Sequence, residues 1–158
     1  MNHARVRTRV LARRPEAGIL LLRLFFAAIL IYGTLDNVLS EARMHEFRDF
    51  LAHHGFPYPL FSARLSVYAQ FVCGLLLLAG FATRLAALVM IVNFVVALGM
   101  VHVGLEFGAN IAPLSMLALA VFFALHGGGR YAMDATRAGT SSSGSWWSRV
   151  GPSSPSGP

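Results

Sequence analysis

The residues with types suited to chemistry gather near position 100. In "ALGMVHVGLEFGAN" (97–110), His102, Glu106 and Asn110 recur every fourth residue. A continuing helix would place them on one face. An imidazole exchanges protons near neutral pH, and a carboxylate one turn on orients its ring. Asn110 adds an amide for hydrogen bonding. Asp36, Asn37, His53, His54 and Arg64 are further polar groups whose position relative to this stripe depends on the fold. What the stripe does therefore depends on the elements that hold it.

Those elements are apolar. The mean hydropathy is +0.60 and only 13% of residues are charged, a balance outside that of ordinary water-soluble domains. Four stretches, about 17–38, 61–81, 85–103 and 109–125, approach the roughly 20 residues needed to cross a bilayer as a helix. They show little of the polar face expected of a soluble amphipathic helix. The expected fold is an all-α integral membrane four-helix bundle. The first stretch exceeds a signal-peptide core and lacks a small-residue cleavage site, so it is expected to stay as an anchor.

Between the first two spans, "LSEARMHEFRDFLAHHGFP" reads differently. Leu39, Met44, Phe47, Phe50 and Leu51 fall on one side, and Glu41, His45, Arg48 and Asp49 on the other. This predicts an additional amphipathic helix at the outer interface, capped by Ser40 and stopped by Gly55 and Pro57. Pro15 and Glu16 suit the start of span one. Residues 1–16 form a basic arm. The Ser/Gly/Pro-rich segment 136–158 is expected to be a disordered tail, with Trp146 and Trp147 its apolar exceptions.

The net charge of +6 comes from arginine, with no lysine in the chain. Arg5, Arg7, Arg9, Arg13, Arg14, Arg84, Arg130, Arg137 and Arg149 occupy the termini and the turn after span two. Arg43 and Arg48, with Arg64 at the border, occupy the other side. The positive-inside rule then places both termini in the cytoplasm. The arginines follow membrane borders without interleaved aromatics, which argues against nucleic-acid binding. Cys73 is the only cysteine, so a thiol relay within the chain and cysteine-ligated zinc or iron–sulfur centres are excluded.

The ordered pieces "RLFFAAILIYG", "GFP", "GLLLLAGFATRLAAL", "ALGMVH" and "HGGGRYAMD" resemble the DoxX family of small four-helix bacterial membrane proteins. The likeness covers about residues 17–135. It implies a multi-pass protein of the bacterial cytoplasmic membrane. It also implies a small subunit or accessory protein of a quinone-linked oxidoreductase system. Quinone is then the implied cofactor, and a membrane or soluble oxidoreductase subunit, or a second copy, the implied partner besides the lipid bilayer. A non-enzymatic small-molecule or proton conduit, or a scaffold recruiting a soluble oxidoreductase, are the competing readings. One departure bears on the site: Gln70 stands where many members carry a glutamate.

Three candidate groupings follow. An outer ligand-binding cluster comprises Asp36, Arg64, His102, Glu106 and Asn110, with Phe94 and Phe107 as apolar contacts. It reads as a site for proton exchange with a quinol, as a weak metal site at His102 and Glu106, or as helix ends emerging into water. The spacing does not favour metal, since no HExxH or second pre-spaced histidine exists. An inner cluster comprises Arg23, Arg84, Arg130 and the carboxylate of Asp134. It reads as a structural clamp or as a lipid-headgroup pocket opened by the triple glycine 127–129. Within the membrane, Gln70 and Asn93 are expected to hydrogen-bond across adjacent helices. No nucleophile–base pair, phosphate loop or dinucleotide fingerprint gives a catalytic constellation.

Overall fold

A computed structural model describes residues 3–101 and 103–134, with side chains from residue 15. Five helices follow one another: α1 (His3–Leu39), α2 (Glu41–His53), α3 (Pro59–Ala79), α4 (Thr83–Met100) and α5 (Phe107–His126). No strand occurs among the described residues. The segments Pro15–Leu39, Pro59–Ala79, Thr83–Met100 and Phe107–His126 are long and apolar enough to cross a membrane, so this is a multi-pass membrane protein in contact with the bilayer. Large side chains on their outer faces, such as Leu21, Val92 and Leu125, are exposed. That is the arrangement expected where hydrocarbon replaces water.

α1 packs along α3, α3 along α4, and α4 along α5. Gly74 on α3 makes the first of these contacts close: a Cβ there would lie 2.8 Å from Ile31 Cγ1. Without solvent to drive helices together, such small residues let backbones approach and gain dispersion contacts. One core joins Phe26 and Leu30 of α1, Leu77 of α3, Met90 of α4 and Phe123 of α5. Phe26 and Phe123 stack with centroids 6.0 Å apart. A second, smaller core of Met44, Leu51, Ala63 and Val67 seats α2 on α3.

Local chemistry fixes most boundaries. Ser40 caps α2, its side chain accepting from Arg43 N. Gly55, at φ 75°, follows its end. Pro59 opens α3, as a residue without an N–H suits the first turn. Gly80, at φ 70°, ends it. One boundary differs from expectation: Pro15 lies inside α1 rather than at its start. A lone proline removes one helical hydrogen bond, which does not by itself end a helix. The tail at 136–158, with Trp146 and Trp147, lies outside the described residues.

Candidate functional site

Three polar centres occupy different levels of the bundle. At one end, the segment after α5 folds back between α1 and the α3–α4 turn. Arg23, 3% exposed, donates from Nη1 to Gly128 O at 2.7 Å and from Nη2 to Tyr131 O at 3.4 Å. Asp134 accepts Ala82 N–H at 2.8 Å on one oxygen and Thr83 N–H at 2.9 Å on the other. Its carboxylate therefore caps α4, where free amides and the helix dipole favour negative charge. Ala82 holds a left-handed φ of 47° to present its amide. The glycines are demanded by space: a Cβ on Gly128 would stand 2.6 Å from both Ala132 Cβ and Thr83 Oγ1.

The sequence suggested one carboxylate serving three arginines here. The structure adds a second, Glu16, which accepts Arg130 N–H at 2.9 Å. Both carboxylates bind backbone amides. Arg84 donates to Leu125 O at 3.4 Å. The Arg84 and Arg130 residues are exposed. Arg23 and Asp134 thus form the buried part of the cluster, and Arg84 and Arg130 its rim. Arg23 Nε and Thr83 Oγ1 are enclosed with no described partner.

At the opposite end, the described members of the expected cluster stand on several elements. α4 ends at Met100, and Gly104 turns the chain at φ 85° before α5. Glu106 precedes α5 as its cap residue, without a capping side-chain bond. Asn110 folds back to donate to the Leu105 and Glu106 carbonyls, both at 3.3 Å. Asp36 accepts the Asn37 N–H at 2.9 Å. Arg64 reaches across to Glu41 at 3.4 Å. Among the described residues, no hydrogen bond or ion pair joins Asp36, Arg64, Glu106 and Asn110 to one another. His102 lies outside the described residues. His54 bonds Phe50 O at 2.8 Å, beside an exposed His53. Phe107 is exposed, whereas Phe94 is buried. On α2, the hydrogen bond Arg43 donates to Glu46, and then the Glu46 charge, hold the Arg43 guanidinium above its ordinary range. No group of three His, Cys, Asp or Glu among the described residues is placed to hold a metal ion.

The third centre is intramembrane. Gln70 Nε2 donates to Ser66 Oγ at 3.1 Å, and Ser66 Oγ donates to Asn93 Oδ1 at 2.8 Å. The expected direct contact between Gln70 and Asn93 is thus replaced by a chain through Ser66. The reason is geometric: Ser66 stands one turn before Gln70 on the same face of α3 and is short enough to fit between the helices. This chain lines a cavity of about 580 Å³ between α2, α3 and α4. Phe47, Phe50 and Leu51 of α2 form its cover, and Phe94 part of its wall. Leu65, Val92 and Val96 line it and are also exposed, so its mouth opens on the lipid-facing surface. Asn93 Nδ2 donates to no described group, leaving two amide hydrogens for a ligand. The cavity wall carries no ionisable side chain among the described residues. It can hydrogen-bond a neutral carbonyl or hydroxyl, but it supplies neither a counter-charge nor a proton relay.

Sequence reasoning found Gln70 and Asn93 but not Ser66, Glu16, or the aromatic cover as part of a cavity. The spacing Ser66-x-x-x-Gln70 was a usable signal. The backbone carbonyls that receive Arg23 leave none. The DoxX family model matches residues 18–103, just over half of the chain. No curated protein and no solved structure matches it.

Proposed function

The chain belongs to the DoxX family, and from that premise we propose that it is a small membrane subunit, or accessory protein, of a quinone-linked redox system in the bacterial cytoplasmic membrane. The observation that carries this reading is the α2–α3–α4 cavity with its amide-bearing wall. Its volume falls within the roughly 300–1,000 Å³ of small-molecule sites, which are mostly apolar with a few placed polar groups. A quinone is a neutral ring with carbonyl acceptors on an isoprenoid chain. Asn93 Nδ2 and the second hydrogen of Gln70 Nε2 would donate to a carbonyl. Phe47, Phe50 and Phe94 would pack on the ring, and the mouth at Val92 and Val96 would let the chain run into lipid. When bound, the quinone supplies two-electron, two-proton carrier chemistry. This chain's residues hold and orient it and keep water away. Electrons and protons would come from a partner oxidoreductase.

The same reading takes α2 as an interfacial helix on the outer face and both termini as cytoplasmic, following the arginine asymmetry. It treats 17–135 as the membrane domain, between a basic arm and a tail. The glutamine at position 70 fits it: an amide keeps hydrogen-bonding capacity within the membrane without the cost of a charge.

The test is quinone retention. The full chain is purified in mild detergent, and its lipids are extracted and analysed by chromatography and mass spectrometry. Quinone is expected near one per chain, and Asn93→Leu is expected to lose most of it while keeping its helical content. A wild-type protein that holds no quinone, and binds no added short-chain quinone, overturns the reading.

A further inference from the structure

A second groove, of about 630 Å³, shares only Leu65 with the first. Arg48 of α2 and Tyr58, Phe61, Arg64 and Tyr68 at the start of α3 form its polar and aromatic walls. On α3, residues 61, 64, 65 and 68 repeat at three- and four-residue steps, so they share one face running from the helix start into the span. Phe61, Leu65 and Tyr68 are exposed on that face, and Val72 continues it one turn further.

The polar groups stand in a definite order along this face. Arg64 uses Nη2 for Glu41, at 3.4 Å, while its Nε and Nη1 donate to no described group. That pair is half-exposed and loose, and Glu41 is shared with His45 at 3.8 Å. Arg48 is engaged by Asp49 at 2.7 Å and by His45 at 2.7 Å, so it contributes a positive wall more than free donors. One turn deeper than Arg64, about 6 Å along the helix axis, the exposed Tyr68 carries a phenol hydroxyl with no described partner. A hydroxyl facing hydrocarbon without a partner is costly. The face therefore offers guanidinium donors near the start of α3, a phenol hydroxyl one turn further, and apolar surface beyond that.

We propose that this groove is a binding site for an anionic phospholipid. The phosphate meets Arg64, with Arg48 alongside. The Tyr68 hydroxyl donates to a glycerol ester carbonyl, and an acyl chain lies along Phe61, Leu65 and Val72. The order of groups along a phospholipid, phosphate then ester then chain, is the order of their partners along α3. Tyr58, at a left-handed φ of 55°, is exposed and lines the same groove. The proposal stands independently of the quinone reading, because the two sites have different walls.

Native mass spectrometry of the full chain in detergent, with equal phosphatidylglycerol and phosphatidylcholine, tests it. The wild type is expected to prefer phosphatidylglycerol by about fivefold or more, the contribution of roughly one arginine at a membrane surface. Arg64→Ala is expected to remove most of that preference. Arg43→Ala, on α2 but outside the groove and paired with Glu46, is expected to leave it unchanged. Tyr68→Phe is expected to weaken both lipids severalfold without changing their ratio. Both arginines are exposed, and a helical spectrum like the wild type's establishes that each variant is folded. Equal binding of the two lipids overturns the proposal. So does a preference that Arg43→Ala abolishes, which would be general surface charge. Competition by glycerol phosphate at the lipid's own concentration also overturns it, because the site would then read a free phosphate rather than a lipid.

Discussion

Removing the Asp134 carboxylate is the sharpest test of how the bundle is closed. Its oxygens accept two backbone N–H groups, at 2.8 and 2.9 Å, from Ala82, the cap residue of α4, and from Thr83, its first residue. Its charge also faces the buried Arg23 guanidinium. Hydrogen bonds to a charged group contribute about 1.5–3 kcal/mol each. The site is part-buried, so water recovers some of that loss in the variant. Asp134→Ala is therefore expected to cost about 3–4 kcal/mol. Asp134→Asn keeps one acceptor oxygen but turns an N–H₂ toward the second amide and loses the charge, for about 2 kcal/mol. At roughly 2–4 °C per kcal/mol for a chain of this size, the alanine variant should melt about 10 °C lower and the asparagine variant about 5 °C lower. The assay is the melting of helical circular dichroism in detergent, at one protein and detergent concentration. An alanine variant within about 2 °C of the wild type refutes the clamp. An asparagine variant as stable as the wild type would show that the charge contributes nothing, and that shape alone closes the turn.

Other outcomes follow from the same geometry. Gly80→Ala should destabilise by about 2–4 kcal/mol, from left-handed strain and overpacking. Its Cβ would stand 2.7 Å from Arg23 Nη1 and 2.8 Å from Ala132 Cα, whereas Gly33→Ala, with nothing within 4 Å, should melt like the wild type. Ser66→Ala breaks the chain between Gln70 and Asn93. It should lower stability by only about 0.6–2 kcal/mol, while quinone retention, measured by lipid extraction, falls more sharply. For orientation, a cysteine at His45 in a Cys73→Ala background should react with an impermeant reagent on intact cells. One at Thr136 should react only after permeabilisation, and the reverse pattern would turn the assignment of sides around.

What the sequence made legible depends on the range of the interaction. The spans were readable because hydrophobic length is a local property: the apolar stretch at 61–81 corresponds to the span Pro59–Ala79, and that at 109–125 to Phe107–His126. Ser40 as a cap was equally local. The stripe at His102, Glu106 and Asn110 rested on a condition that local spacing does not show. Four-residue spacing places residues on one face only while a helix continues, and α4 stops at Met100 before a turn at Gly104. Valine and glycine around the turn gave little warning, since both are common within membrane helices.

The clamp was half legible. Arg23, inside a span, had to find a partner because a charge in hydrocarbon is costly. That its strongest described partner would be Gly128 O, 105 residues away, was invisible, since every residue carries a carbonyl. The intramembrane chain shows what joins these cases. Gln70 and Asn93 announced themselves as polar groups in apolar spans, and each needed hydrogen bonds. Ser66 is unremarkable by composition, yet its hydroxyl bonds both Gln70, one turn on, and Asn93 on α4. With the Asn93 acceptor used by Ser66, its amide hydrogens remain available to the cavity. A direct Gln70–Asn93 pair would have turned an amide hydrogen toward the partner amide and left fewer donors facing the cavity. The bridging serine thus turns structural glue into a wall that can read a ligand's oxygen.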